Sequence, residues 1–298
     1  MKFIKYQIVV FLVLAWANLF YGTLGLSHPQ SAEERVYAAL PDRSFSSQQV
    51  LGETISTTTT DIPPPLPTAT IVTITSTPTL TPSPTTQPLK KNKYSIAVYG
   101  DSMVDTMGER LEYLEHALTR KYPNVEFALY NFGMGSQHVE TGLLRISDKF
   151  DYQDRDYAPL PEIKPDIIIV GSFAYNPFSP YDRDRHWLGL THLVQAMQQI
   201  TSHVYMLAEI APLSSDFGKG PNGVNWETNT SIEHAKKIVE LLENAVGLSR
   251  TLNIPLINAY GASQGKKEYV NPSDGIHPSV AGHEFMAEQI VKTMKLDE

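Results

Sequence analysis

Between Thr54 and Pro88 the chain is almost wholly threonine, proline and serine, with unbroken runs at Thr57-Thr58-Thr59-Thr60 and Pro63-Pro64-Pro65. Such a stretch buries too little apolar area to offset the entropy of ordering it. No core can pass through it, so whatever folds must lie to one side. Proline stiffens the tract toward polyproline II at roughly 3.1 Å per residue, which makes it a spacer of up to ~100 Å when fully extended. O-glycosylated stalks and plain linkers share this composition, and both readings stay open. Ser27 to Glu53, ahead of it, is polar and weakly patterned, so residues 27–89 read as one disordered linker.

The N-terminal side holds one apolar segment. Lys2 and Lys5 precede a run from Ile8 to Phe20, the pattern of an export signal. Cleavage after Ala15-Trp16-Ala17 is one reading and a retained anchor is the other. The triplet lies inside the apolar run, and Leu19, Phe20, Tyr21, Leu24 and Leu26 follow it. Counted to Leu26 the segment approaches the ~20 residues that span a bilayer, which favours an anchor over residues 1–26. Lysines before the segment stay on the cytoplasmic side. The expectation is a single-pass membrane protein with its remainder outside the cytoplasm, or a secreted one if the segment is removed.

Lys90 to Glu298 is left as the folded domain. Ser95-Ile96-Ala97-Val98-Tyr99, Val125 to Tyr130, Ile167-Ile168-Ile169-Val170, Val204 to Ala208 and Ile254 to Ile257 read as strands. The unbroken β-branched third run suits a parallel sheet covered on both faces. Leu111, Leu114, Ala117 and Leu118 recur at helical spacing, as do Leu190, Leu193, Val194, Met197 and Ile200. Thr230 and Glu233 have the spacing of a capping box ahead of Ala235, Ile238, Val239, Leu242 and Val246. A last helix follows Ser279. Residues Asp148 to Asp156, rich in aspartate, read as a solvated loop. Strand and helix thus alternate about five times, which implies an α/β fold: a parallel sheet between two layers of helices.

Composition narrows the chemistry. The net charge of −8 argues against nucleic acid as a partner. The absence of cysteine excludes disulfides, thiol catalysis and cysteine-held metals. Three sequence patterns are decoys. His283-Glu284-Phe285-Met286-Ala287 lacks the second histidine of a zinc-protease helix, Gly261 to Lys267 has the wrong length for a phosphate loop, and Gly133-Met134-Gly135 lacks the third glycine of a dinucleotide fingerprint.

Ligands of parallel sheets bind beyond the carboxyl ends of the strands. Gly100-Asp101-Ser102, Asn131-Phe132-Gly133-Met134-Gly135 and Gly171-Ser172-Phe173-Ala174-Tyr175-Asn176 stand at three such ends, and Asp274-Gly275-Ile276-His277-Pro278 precedes the last helix. These residues suit nucleophilic catalysis. Ser102 needs a base, imidazole is a side chain suited to that task near neutral pH, which makes His277 a candidate, and Asp274 three residues earlier can orient the ring, as in a serine triad. The N–H groups of Ser102 and Gly135 and the amide of Asn176 are candidate oxyanion donors.

The same residues resemble the SGNH hydrolases, also called GDSL-like esterases and lipases. Val98-Tyr99-Gly100-Asp101-Ser102 is similar to that family's first block, Asn131 to Gly135 to its second, and Asp274-Gly275-Ile276-His277 to its fifth. The resemblance covers about Tyr94 to the last helix. It implies a three-layer α/β/α sandwich with a mostly parallel five-stranded, flavodoxin-like sheet, Ser102 as nucleophile, Asp274 and His277 as its partners, and Gly135 in the oxyanion hole. Met103 replaces the leucine of the family's Gly-Asp-Ser-Leu. The third block departs further: the family's asparagine would stand at Phe173, and here the nearest is Asn176.

Together these readings lead to a serine esterase acting on acetyl or other short acyl esters, with acylated carbohydrate at the cell surface or in the environment as substrate and no cofactor. Two alternatives share the fold: an acyltransferase moving the acyl group to a glycan hydroxyl, and a non-catalytic glycan-binding module. Trp187, Trp226, Tyr175 and Tyr181 are candidates for stacking on a sugar.

Overall fold

A computed structural model describes residues 91–294 and Leu296. The N-terminal apolar run and the Thr/Pro/Ser tract lie outside the described residues. Among the described residues no helix is long and apolar enough to cross a membrane.

Five strands form one sheet: β1 (Lys93–Gly100), β2 (Glu126–Gly133), β5 (Ile167–Gly171), β6 (Val204–Ala208) and β7 (Leu256–Asn258). Their order is β2-β1-β5-β6-β7, and every pairing is parallel. The third run behaves as its β-branched residues demand. Ile167 and Ile169 enter a core on one face, Ile168 and Val170 a core on the other, and all four are fully buried. Successive side chains point to opposite faces of a strand, so a strand covered on both sides has no polar positions to spare.

Helices close both faces. On the first, α2 (Glu112–Lys121) and α8 (Val280–Met294) pack on each other. Leu114, Leu118, Met286, Ile290 and Met294 fill the space above Ile96 and Val98. On the second, α5 (Arg183–Gln198) packs between α3 (Val139–Leu144) and α6 (Thr228–Thr251), and brings Leu190, Leu193, Val194 and Met197 onto Tyr99 and Val170. Helix α6 serves both layers, with Ile238 and Leu242 in one and Ala245 and Leu248 in the other. The architecture is the expected α/β/α sandwich.

Three local readings are corrected. Helix α6 begins at Thr228 with Glu227 as its N-cap and no side-chain cap, so Thr230 lies inside the helix. The last strand starts two residues later than its apolar run suggests, at Leu256, and ends one later, at Asn258. Residues Asp148 to Asp156 are not a loop. Strands β3 (Phe150–Tyr152) and β4 (Arg155–Tyr157) form an antiparallel hairpin. Arg155 is buried there and paired with Asp105, while donating to the Asn131 carbonyl at 3.0 Å.

Register aligns the glycines at the carboxyl edge. Gly100 pairs with Gly133, and Gly171 lies beside Gly100 on its other side. Helix α1 (Ser102–Asp105) folds back over this edge. A Cβ on Gly133 would stand 2.1 Å from the Asp105 nitrogen and 2.7 Å from the Val104 carbonyl carbon, both backbone atoms. The approach therefore requires glycine. Gly133→Ala is expected to destabilise the protein by about 1–3 kcal/mol through overpacking, read as a lower urea midpoint at unchanged m-value.

Candidate active site

The turn after β1 is built around a carboxylate. Asp101 is fully buried and caps α1, its Oδ1 accepting from the Met103 N–H at 2.9 Å. An aspartate here satisfies one of the free N–H groups at the helix start. Ser102 is the first residue of α1 and is half-buried, while Met103 and Val104 point into the core. Its carbonyl accepts from the N–H and the hydroxyl of Thr106, at 3.0 and 2.9 Å.

Asn131 and Arg145 fasten this turn to β2. The buried Asn131 amide donates to the Gly108 carbonyl at 2.7 Å and reaches those of Val104 and Asp105 at 3.2 Å each. Its oxygen accepts from the Gly133 N–H at 2.8 Å. The guanidinium of Arg145 donates to the carbonyls of Gly100 and Phe132, at 2.9 and 2.8 Å, and its Nε donates to Gln137. It lies 4.1 Å from the centre of the Tyr99 ring, a cation–π contact. Burial lowers its proton affinity below the ordinary arginine value. Neither Asn131 nor Arg145 was assigned this role from sequence. A polar residue inside an apolar strand is the signal that marks Asn131; Arg145 leaves none.

Asp274 and His277 form a compact turn, with Gly275 between them in the left-handed region at φ +66°. Asp274 Oδ1 accepts from the N–H of Ile276 at 2.8 Å and of His277 at 3.0 Å. Its Oδ2 lies 3.0 Å from His277 Nδ1. This contact assigns the imidazole proton to Nδ1 and leaves Nε2 as an acceptor. The turn is tied down at its flanks by the Asn271 N–H on the His277 carbonyl, 2.8 Å, and by a single bridge between Val270 and Pro278.

The two halves meet at a cavity of about 570 Å³ whose lining includes Thr106, Tyr113, Asp274, His277, Val280 and His283. Thr106 belongs to the turn after Ser102, so α1 and the Asp274–His277 turn share this cavity. The His277 imidazole is close enough for its charge to act on Asp101. No hydrogen bond joins Ser102 to His277 among the described residues. His283 stacks on Tyr113 at 4.9 Å, and burial, followed by the charge of His277, pulls it down to about 4.

The loop after β5 delivers its amide from the later position. Phe173 sits at φ +56° and turns inward, fully buried against Tyr99 and closely over Gly142. Asn176 reaches the edge instead, its Nδ2 donating to Asp101 Oδ2 at 2.9 Å. Gly135 is half-buried beyond β2, with the Tyr152 hydroxyl 3.2 Å from where its Cβ would stand.

A second serine and histidine also meet, at Ser172 and His186, but not as nucleophile and base. His186 Nε2 contacts the Ser172 carbonyl at 2.9 Å, while the Ser172 hydroxyl is bound to Glu209. His186 is buried, which pulls it down to about 4. The four stacking candidates do not line the cavity beside His277. Tyr175 is buried with its hydroxyl on the Ile210 carbonyl, Tyr181 binds Glu240, Trp226 packs against Phe217 and His234, and Trp187 packs against the second core.

The family model of GDSL-like lipases and acylhydrolases matches residues 96–290. No curated protein matches the sequence. Among solved structures, a lipase/acylhydrolase from Enterococcus faecalis is 20% identical over 68% of this chain and 95% of its own, with a TM-score of 0.51. A catalytic mutant of an acetylxylan esterase from Geobacillus stearothermophilus is 14% identical over 67% and 94%, with a TM-score of 0.51. An alpha/beta hydrolase from the metagenome of Lake Arreo is 15% identical over 69% and 96%, with a TM-score of 0.50. At these identities the likeness concerns the fold.

Arg145→Met is expected to leave the Phe132 carbonyl and one lone pair of the Gly100 carbonyl without their charged donor. The expected cost is about 1.5–3 kcal/mol, read by urea unfolding.

Proposed function

Because the chain belongs to the GDSL-like lipase/acylhydrolase family, we propose that it is a serine esterase with Ser102 as nucleophile, His277 as base and Asp274 as its orienting carboxylate. The observation that carries this reading is the 3.0 Å contact between Asp274 Oδ2 and His277 Nδ1. It leaves Nε2 able to take a proton on the wall of the cavity that Thr106 shares.

The Ser102 Oγ attacks the ester carbonyl carbon as His277 Nε2 takes its proton. The carbonyl oxygen becomes an oxyanion, held by the N–H groups of Ser102 and Gly135 and by Asn176. Asn176 spends one Nδ2 hydrogen on Asp101 and keeps the second for this purpose. Collapse breaks the bond to the alcohol, which leaves with the proton from His277. Water, deprotonated by the same imidazole, then releases the acid and restores Ser102. Donors at the oxyanion matter because they act on charge that exists only in the transition state.

The acyl group is acetyl or another short chain, and the alcohol is carbohydrate. Threonine, tyrosine, asparagine and serine side chains at Thr106, Tyr113, Asn271 and Ser279 line the cavity on the histidine side, where the leaving alcohol must lie to receive its proton. Residues 90–298 form the catalytic domain, held outside the cytoplasmic membrane by an anchor at residues 1–26 and a linker at residues 27–89.

A fluorophosphonate probe applied to the full-length protein is expected to label Ser102, with the label lost in His277→Ala. A folded, unlabelled protein overturns the mechanism. Ser102→Ala is expected to lower kcat/KM by ~10⁴-fold or more. Asn176→Ala is expected to lower kcat by ~10²–10³ with a smaller change in KM.

A further inference from the structure

Beneath the turn that carries Ser102 lie two carboxyl groups with no cation between them. Asp101 and Glu209 are both fully buried, and neither forms an ion pair among the described residues. Glu209 directly follows β6 and grips the loop after β5 at one residue. Its Oε1 accepts from the Ser172 N–H at 2.9 Å, and its Oε2 lies 2.5 Å from the Ser172 hydroxyl. That hydroxyl accepts in turn from the Ala174 N–H at 3.1 Å. Glu209 Oε1 stands 2.7 Å from where a Cβ on Gly171 would be, and the Gly100 Cα is 3.4 Å from the same point. One glycine therefore separates the Glu209 carboxyl from the backbone that leads into Asp101.

We infer that Glu209 is a positioning residue held as a neutral carboxylic acid, and that its proton keeps the Asn176 loop seated on the Asp101–Ser102 turn. Two adjacent buried carboxyls that form no ion pair resist being charged together away from water. The hydrogen-bond inventory decides which one holds the proton. Asp101 receives two obligatory donors, the Met103 N–H and the Asn176 amide, and both favour its charged form. Burial raises Asp101 as it does Glu209, but these donors and the charges of His277 and Arg145 oppose the rise. Glu209 has one N–H and one hydroxyl, and a hydroxyl can accept as readily as donate. A protonated Oε2 can therefore donate to Ser172 without any atom moving. Burial, reinforced by the charge of Asp101, pushes Glu209 up to about 8.

The charges of His277 and Arg145 act on Asp101, and the titratable groups packed around Glu209 offer it no counter-charge. Tyr175, on the same loop, is held neutral by burial, reinforced by both carboxyls. His186, on α5, reaches the Ser172 carbonyl and is itself held neutral by burial. Ionising Glu209 would therefore set two anions across Gly171 and Gly100. Their repulsion separates the loop that carries Asn176 from the turn that carries Ser102.

The sign for stability follows from the same proton. In the unfolded chain Glu209 ionises near 4.5, and in the folded protein near 8. Between those values the folded state holds a proton that the unfolded chain has released, so the contribution to stability is full below the lower value and is lost as pH rises through the upper one. His186 and His283 are held below their ordinary value and tilt the curve the other way. The informative quantity is accordingly the difference between wild type and Glu209→Gln, whose amide copies the hydrogen bonds of the neutral acid.

The test takes three readouts on the full-length protein. The urea midpoint of wild type is expected to fall relative to Glu209→Gln between pH 5 and pH 8, and the alkaline limb of kcat/KM on a small aryl ester, near pH 8 in wild type, to move up by at least ~1 unit in the variant. In wild type alone, the infrared C=O band of a carboxylic acid is expected to persist at about pH 7, where ordinary carboxyls are ionised, and to vanish above about pH 9. Parallel stability curves, or no such band at pH 7, overturn the proton. An unmoved limb overturns its effect on the site. The proposal rests on the esterase reading only in the activity arm. Diverging stability curves in a protein that hydrolyses no ester would keep the proton on Glu209 and remove the esterase.

Discussion

The whole site depends on how closely a four-residue helix can approach the edge of a sheet. Helix α1 lies on the carboxyl ends of β1 and β2 with its backbone where a side chain of residue 133 would otherwise be. Removing that side chain solves the steric problem and creates a polar one, because three carbonyls of the α1 segment face inward. Asn131 answers it by reaching Val104, Asp105 and Gly108 from the neighbouring strand while its oxygen takes the Gly133 N–H. Buried polar groups that are fully paired specify one arrangement, since any alternative leaves some of them unpaired. The half-buried position of Ser102 is thus set by groups that take no part in the chemistry.

Charge is handled at this edge in two ways. Arg145 and Arg155 both reach backbone carbonyls, Gly100 and Phe132 for one and Asn131 for the other. Planar forks with several donors suit this task better than a lysine would. The acids are treated differently. Asp105 is paired with Arg155, while Asp101 and Glu209 have only hydrogen bonds. The positive groups lock the strands into register, and the unpaired acids join the loops that must come together above them.

Much of the sandwich was legible because its strands are covered on both faces. Ile167-Ile168-Ile169-Val170 can be little else than a central parallel strand, and its neighbours share the same bias. The hairpin at Phe150 to Tyr157 was illegible because its one buried polar residue, Arg155, is satisfied by Asp105 and Asn131, distant in the chain. Helix α6 starts earlier than its capping-box spacing suggests, and Ser231 is buried inside it, so packing rather than a local cap sets its first turn. In the site, Asp274 and His277 were legible because their contact spans one turn. Asn176 could be named only as the nearest amide. The inward flip of Phe173 that brings it forward is a matter of backbone conformation and of the space left above Gly142. Arg145 and Glu209 were invisible, since each acts on backbone or side chains from segments remote in sequence.

The two halves of the site hang from the fold in unequal ways. Ser102 follows a strand flanked on both sides by partners, and its turn is braced by Asn131 and Arg145. Its position is therefore set by the sheet. The turn of Asp274 and His277 is held by loops: by its own short-range bonds, a bridge at Val270 and Pro278, the Asn271 N–H, and the N–H groups of Gly218 and Asn222 on the carbonyls of Gly275 and Ser273. Segments held through loops rather than strands can open locally at a fraction of the global free energy. The site is thus divided between a half fixed by strands and a half fixed by loops, and heat or denaturant that loosens loops first would move the imidazole before the serine. The parallel sheet, whose pairings do not include this turn, would still stand.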